Sequence, residues 1–456
     1  MATPSRDRYA TARELAIYTH RQLTERQGSS PGISTLSYLF RTMYAASMAT
    51  EEGQKITFDV TWIDPDNPDP NPPGRIVSDR WTTVPFSSKI RATARSLMKA
   101  ARATDPRTSS FAVYGSEAEQ VFIWGMVDQG NRAYDFARFD SESGPDRPGL
   151  FQASAIGIGH LTVSIGYEPI AELRIDRLSG SGLDPLRAGP IHEAIRPRLE
   201  RYVQAVREAV PKEIYTDRPD WDLGIRSKWL ETLVRILLRI RGMGHGGAVL
   251  ITTDTSGTGL DAKYEIPYPR LPEALRRWAA AWIRKTYADD LIGEMLDDDG
   301  DGSTIDAGLY LDETVYRNRS EEATDEIDGI IWFIACLSRI DGLVLMNSDL
   351  AVKAFGTIIT VEDAPSTVYA AQDEYAMISR RVPLSYDAFG TRHRSMMRYC
   401  NSYPGSVGFV ISQDGDIRAI TKVDQDLIVW DDVRLQRVLL ASASRAPLIG
   451  PRRVTN

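Results

Sequence analysis

Hydrophobic and polar positions along the 456-residue chain change period several times, and each change marks an element. Residues 1–30 read as a lone helix that stops at "GSSPG". "ITFDVTWID" (56–64) alternates apolar and polar residues, as a half-buried strand does. "DPDNPDPNPPG" (64–74) holds too many Pro, Asp and Asn residues for a helix or a central strand. "SSFAVYG" and "VFIWGMVD" read as a hairpin, and "LTVSIGYEPIAELRIDRL" (161–178) as a second one turning at "GYEP". A linker by composition, "SGSGLDPLRAGP" (179–190), precedes the helix "IHEAIRPRLERYVQAVREAV", and "PKEIYTDRPDWD" breaks the pattern again.

The second half opens on an amphipathic helix over 225–241, with Ile225, Trp229, Leu233, Ile236, Leu237 and Ile240 along one face. Three short, solidly apolar runs follow: "AVLIT", "GLVLM" (342–346) and "GFVIS" (408–412). Runs of this kind predict strands buried on both faces, with helices such as "IIWFIACLSRI" and "RHRSMMRYCNSY" between them. "GLVLMNSDLAVKAFG" and "GFVISQDGDIRAITK" each read as a hairpin. The fold class is therefore α/β: a C-terminal domain with a central mixed sheet flanked by helices, and an N-terminal α+β domain. The expected organisation is an N-terminal helix (1–30), an α+β domain (31–210), a linker (211–224), the sheet domain (225–440) and a tail (441–456).

Composition narrows the function classes. At 42% hydrophobic and 25% charged residues the chain is ordinary for a globular protein, and its length suits two or three domains. A net charge of −8 argues against binding duplex nucleic acid by bulk electrostatics. Cys336 and Cys400 have no CxxC neighbour, so neither a disulfide framework nor a zinc site is expected. The N-terminus has no apolar signal region, and "IIWFIACL" (330–337) is too short to span a bilayer. No membrane partner is expected, and a cytoplasmic location follows.

Several motifs fail on context. "GMGHGG" (242–247) has the glycine spacing of a dinucleotide fingerprint, but lies in the order helix, glycines, strand rather than strand, glycines, helix. "DDDGDGSTIDAG" (297–308) begins like a calcium loop with Asp297, Asp299, Asp301 and Gly302, but Gly308 stands where the bidentate Glu is required. "HEAIR" (192–196) lacks the second His of a zincin, and His20, His160 and His245 stand alone. No G-x-S-x-G elbow or Walker lysine occurs.

"FGTRHRSMMRYC" (389–400) is different. Gly390-Thr391 reads as a turn and N-cap, and the following helix stops near Pro404-Gly405. Arg392, His393 and Arg394 then surround a helix tip whose N–H groups lack partners. Cations are disfavoured at that end of a helix dipole unless an anion is present, and a guanidinium grips two phosphate oxygens at once. The first turn is thus a candidate phosphate site. Asp341, where a helix gives way to a buried strand at Gly342, is a candidate for a divalent cation or a plain turn residue. "SQDG" (412–415), followed by Asp416, reads by default as a hairpin turn.

Asp-Gly at the head of a strand, "GTRHR" about fifty residues later and then a "VIS…G.I" hairpin resemble the diadenylate cyclase domain over about residues 225–440. "GGAVLIT" is similar to that family's first core strand. "IWGMVD" and the segment leading into "ITFDV" resemble the sensor domain called DACNV. The resemblance implies that ATP is the ligand and that two ATP are joined into cyclic di-AMP with loss of two pyrophosphates. It implies that Gly390, Thr391, Arg392, His393 and Arg394 hold the triphosphate, with His393 also near the metal, and that Gly342, Leu343, Ser412 and Gly415 line the nucleotide. Asp341 and His393 become the catalytic residues, with Mg²⁺ or Mn²⁺ held by Asp341 and His393 and a further carboxylate at Asp414 or Asp416. The partner is a second copy, in a homodimer or larger homo-oligomer, because one chain holds one ATP. The family's Asp-Gly-Ala is Asp-Gly-Leu here, so Leu343 is expected to crowd the sugar, and "SQDGD" differs in charge from the family's acidic hairpin. A nucleotide-sensing module with little or no turnover is the alternative reading of the same site.

Overall fold

Two mixed sheets, one of eight strands and one of nine, organise the chain, each in its own unit. The computed structural model describes residues 10–433 except positions 29, 52, 72–79, 107, 116–119, 130–148, 167, 181–182, 216–218, 253–256, 300–306, 414–415 and 432. The units are Met1–Gly182 and Leu183–Asn456. Among the described residues no helix is long and apolar enough to cross a membrane.

The first unit has helices α1 (Ala12–Gln27), α2 (Ile33–Ser47) and α3 (Ala94–Ala101). A capping box between Thr11 and Glu14 starts α1, and Gly28, at φ 71°, ends it. Strands β1 (Thr50–Glu51) and β2 (Gln54–Lys55) form a small ribbon. The strands β3 (Phe58–Trp62), β4 (Thr82–Arg91), β5 (Ser109–Tyr114), β6 (Phe122–Asp128), β7 (Phe151–Gly157), β8 (His160–Ile165), β9 (Glu168–Arg174) and β10 (Arg177–Ser179) form the sheet. Its order is β10-β9-β8-β7-β3-β5-β6-β4, with only the β3–β5 pairing parallel among the described residues. The expected hairpins are β5–β6 and β8–β9.

Phe40 and Met43 of α2, Phe58 and Val60 of β3, and Phe111 of β5 meet in its core. The polar positions of β3 are not on a wet face as the alternation predicts. Asp59 is 6% exposed and Thr61 is fully buried. The Thr61 hydroxyl lies 2.6 Å from that of Ser110 and accepts a hydrogen bond from the Gln152 amide at 2.9 Å. Buried hydroxyls and amides are tolerated when they satisfy one another in this way.

The second unit has helices α4 (Pro190–Ala209), α5 (Lys212–Tyr215), α6 (Pro219–Gly242), α7 (Arg270–Asp299), α8 (Ala307–Leu337) and α9 (Thr391–Ser402). Its strands are β11 (Gly247–Thr252), β12 (Leu260–Tyr268), β13 (Leu343–Asn347), β14 (Val352–Ile359), β15 (Val368–Ala371), β16 (Arg381–Pro383), β17 (Val407–Ile411), β18 (Ile417–Val423) and β19 (Asp426–Trp430). They run in the order β12-β14-β13-β11-β17-β18-β19-β15-β16. β11–β13 and β15–β19 are parallel, while β11 pairs antiparallel with β17. The segment 211–224, read as a linker, carries α5 and the first turns of α6. Pro211 and Pro219 mark helix starts there rather than a break, because proline fits the first turn of a helix.

The expected apolar face of α6 is buried along its length, with Trp229 at 1% exposure. The long helices α7 and α8 pack along each other. Of the calcium-like stretch 297–308, residues 300–306 lie outside the described residues, as do residues 1–9, 72–74 and the tail 441–456. α9 packs over one face of the sheet. Met396, Met397, Tyr399 and Cys400 join Ala248 and Leu250 of β11, Leu343 of β13 and Val410 of β17 in one cluster. Gly408 lies directly beneath the Met396 side chain: a Cβ on it would overlap Met396 Cγ and Sδ, so any other residue would have to displace Met396.

Candidate functional site

Sheet topology gathers the motifs at one end. β11 and β13 are parallel, so Gly246-Gly247 and Asp341-Gly342 lie at the same edge. β17 arrives there, since Ile411 pairs with Gly247, and β18 leaves from there, since Ile417 pairs with Ile411. The start of α9 reaches the same edge: a Cβ built on Gly246 would stand 3.1 Å from Arg392 Nη1 and 3.2 Å from Gln413 N.

The Asp-Gly step has a local cause. Gly342 adopts φ 117°, and a Cβ on it would stand 2.6 Å from the carbonyl carbon of Gly356. Only glycine fits this crossing of β13 and β14. Asp341 just before it is exposed. Leu343 just after it is 4% exposed and packs in the core under α9. Its side chain is therefore placed in the core, where the sequence reading had set it against a sugar.

The N-cap of α9 is Gly390 alone, at φ −67° and ψ 163°, and Thr391 is the first helical residue. No side chain caps this end and no acidic residue lies in the first turn. The helix leaves the first-turn N–H groups without intrahelical acceptors. Arg394 N–H is the first to close a turn, donating to Gly390 O at 3.1 Å. Thr391 and Arg392 are exposed, while His393 and Arg394 are half-buried. Burial of the last two turns through Met396, Met397, Tyr399 and Cys400 fixes where the tip points.

His393 is not a free imidazole. Arg418 of β18 places Nη1 2.9 Å from His393 Nε2, and Arg418 Nε donates to Asp431 Oδ1 at 2.8 Å. Desolvation by burial pushes the His393 pKa down to about 4, and the positive charges of Arg418 and Arg392 push the same way. Asp431 and Asp416 oppose this without overcoming it. The ring is neutral at physiological pH.

Ser412 closes the β17–β18 turn. Its N–H donates to Asp416 O at 2.9 Å, and its hydroxyl accepts from Asp416 N–H at 3.1 Å. Asp414, a candidate for the further metal carboxylate, and Gly415, expected to line the nucleotide, lie outside the described residues. Arg418 and Asp431 carry no motif, and Phe389 and Gly246, though within quoted stretches, are given no role by the sequence. Arg418 could have been suspected, because it shares a sheet face with Ile420 and so faces α9.

Among the described residues no three His, Cys, Asp or Glu side chains gather at metal-ligand spacing. Mg²⁺ at a nucleotide site needs only one or two carboxylates, the rest coming from phosphate oxygens and water. Exposed Asp341 suits that role. His393 does not suit it through Nε2 while that nitrogen accepts from Arg418.

The second unit therefore presents, at one sheet edge, an uncapped helix tip, two arginines beside it and the exposed carboxylate of Asp341. No curated protein matches the chain. Residues 25–128, within the first unit, match the family model described as the probable sensor domain DACNV.

Proposed function

We propose that the second unit binds ATP at the start of α9 and joins two ATP into cyclic di-AMP, with the first unit acting as its sensor. The observation that carries this reading is the convergence of Asp341, Arg392 and the uncapped tip of α9 on one sheet edge. The N–H groups of Thr391 and Arg392 and the two guanidinium groups supply donors and positive charge for a triphosphate. The DACNV match in the first unit supports the sensor assignment.

In each half-reaction the 3′-oxygen of one ATP forms a bond to the α-phosphorus of the other. The bond from that phosphorus to the bridging oxygen breaks, pyrophosphate leaves, and the 3′-hydroxyl proton passes to Asp341 or water. Asp341 is the residue that would hold Mg²⁺ or Mn²⁺, and the cation would supply charge neutralisation at the phosphates. Arg392 and Arg394 orient the triphosphate so that pyrophosphate departs in line. Two loaded sites must face each other, so the active form is a homodimer or a larger homo-oligomer.

A second reading, nucleotide binding with little turnover, is favoured by the commitment of His393 Nε2 to Arg418, which withdraws an expected metal ligand. A product assay separates the two. Purified full-length protein with ATP and Mn²⁺ should release cyclic di-AMP and pyrophosphate. ATP binding without product under any divalent cation supports the second reading, and absence of binding rejects both.

A further inference from the structure

The His393 ring is held by a residue that no motif marks. Arg418 stands between His393 Nε2, at 2.9 Å, and the Asp431 carboxylate, at 2.8 Å. Phe389 forms a wall for both partners. Its ring centroid lies 5.8 Å from Arg418 Cζ and 5.8 Å from the His393 ring, which is tilted by 42°.

An arginine has donors and no acceptor. The contact between Arg418 and His393 is a hydrogen bond only when Nε2 carries a lone pair, which puts the single ring proton on Nδ1. The charged groups that face the ring are Arg418 and Arg392 on one side of the balance and Asp431 and Asp416 on the other. A ring protonated on both nitrogens would set one N–H against another beside a full positive charge. Among the described residues the ring's hydrogen bond is made through Nε2, and His393 itself belongs to the uncapped first turn of α9.

We infer that Arg418 is a positioning residue for phosphate binding: braced by Asp431 and Phe389, it fixes His393 as a neutral ring whose Nδ1–H donates to a phosphate oxygen. His393 is then a hydrogen-bond donor to the nucleotide, and the metal role implied by its motif passes to Asp341 alone. This inference rests on the nucleotide reading for its phosphate half, while the state of the ring is independent of that reading.

The test uses full-length protein labelled with ¹⁵N-histidine, without nucleotide, at neutral pH. The His393 signals are those that vanish in His393→Gln. The expected pattern is a neutral ring with a protonated Nδ1 and a bare Nε2. Arg418→Met should move the ring towards the Nε2–H form common for free histidine and weaken ATP binding about tenfold, the lower range for loss of a hydrogen bond to a charged group. Asp431→Asn keeps the guanidinium but loosens it, and should shift the ring in the same direction; it serves if Arg418→Met does not fold. A wild-type ring already in the Nε2–H form, or a ring unchanged in a folded variant, overturns the inference. The expected ring in a protein that binds no ATP overturns the phosphate half together with the nucleotide reading.

Discussion

Gly246 is pressed between Arg392 and the end of β17: a Cβ on it would stand 3.1 Å from Arg392 Nη1 and 2.8 Å from Ile411 O. Its φ of 71° is also one that an alanine adopts at a cost. Gly246→Ala should therefore destabilise the protein by roughly 1–3 kcal/mol, combining backbone strain with a backbone clash. It should also weaken ATP binding, because Arg392 must move. Gly244 is a built-in control. It has φ 72° and open space around the missing Cβ, so Gly244→Ala should cost only the strain, about 1 kcal/mol, and leave ATP affinity intact. Denaturant melts and calorimetry on both variants check this. Equal ATP affinities would separate Gly246 from the site.

Arg392→Ala and Arg394→Ala test the anion site itself. Two cations in an uncapped first turn, without an acidic residue there, oppose the helix dipole. Each substitution should weaken ATP binding by roughly 1.5–3 kcal/mol, the range for a charge-assisted hydrogen bond. Neither should lower the melting temperature much, and removing a cation from this end can raise it slightly. Unchanged ATP affinity in both variants would place the nucleotide elsewhere.

The sequence made the elements legible wherever one force dominated. β11, β13 and β17 are short and apolar because both faces are buried, and that alone defines them. Gly408 and Gly342 are different: their need for glycine comes from Met396 and Gly356, which meet them only in the folded chain. The proline-containing stretch 211–224 looks like a break in the sequence, yet it carries helical residues after Pro211 and from Pro219, because proline also starts helices. Arg392, His393 and Arg394 were visible as a block, whereas the brace behind them was not. Arg418 and Asp431 come from β18 and the residue after β19, and their approach to His393 is a product of strand pairing.

His393 makes a pH prediction with a definite sign. Its pKa falls from about 6.5 unfolded to about 4 in the fold, chiefly through burial and then through Arg418. Between those values the unfolded chain binds the proton and the folded chain does not, so protonation favours unfolding as pH drops. His393→Gln lacks this linkage. The stability of wild type relative to His393→Gln should therefore fall as pH goes from 7 to 5, by an amount set by this one site. Paired urea titrations across that range measure it. A constant difference between the two proteins would mean that His393 titrates equally in both states.

The cyclisation reading makes its sharpest demand on concentration. One chain offers one uncapped α9 tip beside one Asp341, yet each product needs two α-phosphates and two 3′-hydroxyls. The productive complex is therefore bimolecular, and a loaded site carries phosphate charge that repels its twin unless Arg392, Arg394 and a divalent cation offset it. Specific activity should rise in proportion to protein concentration at high dilution and level off once self-association is complete. Added salt should screen both the repulsion and the arginine–phosphate attraction, so the cation should matter more than ionic strength. A chain beginning at Leu183, which keeps α4 to α9 and the whole nine-stranded sheet, should follow the same law with a different association constant if the first unit regulates pairing. Initial rates over a dilution series, with sedimentation under the same conditions, decide the matter for both chains. A protein that stays monomeric with ATP and Mn²⁺ and whose specific activity does not change on dilution would rule out the paired-site mechanism.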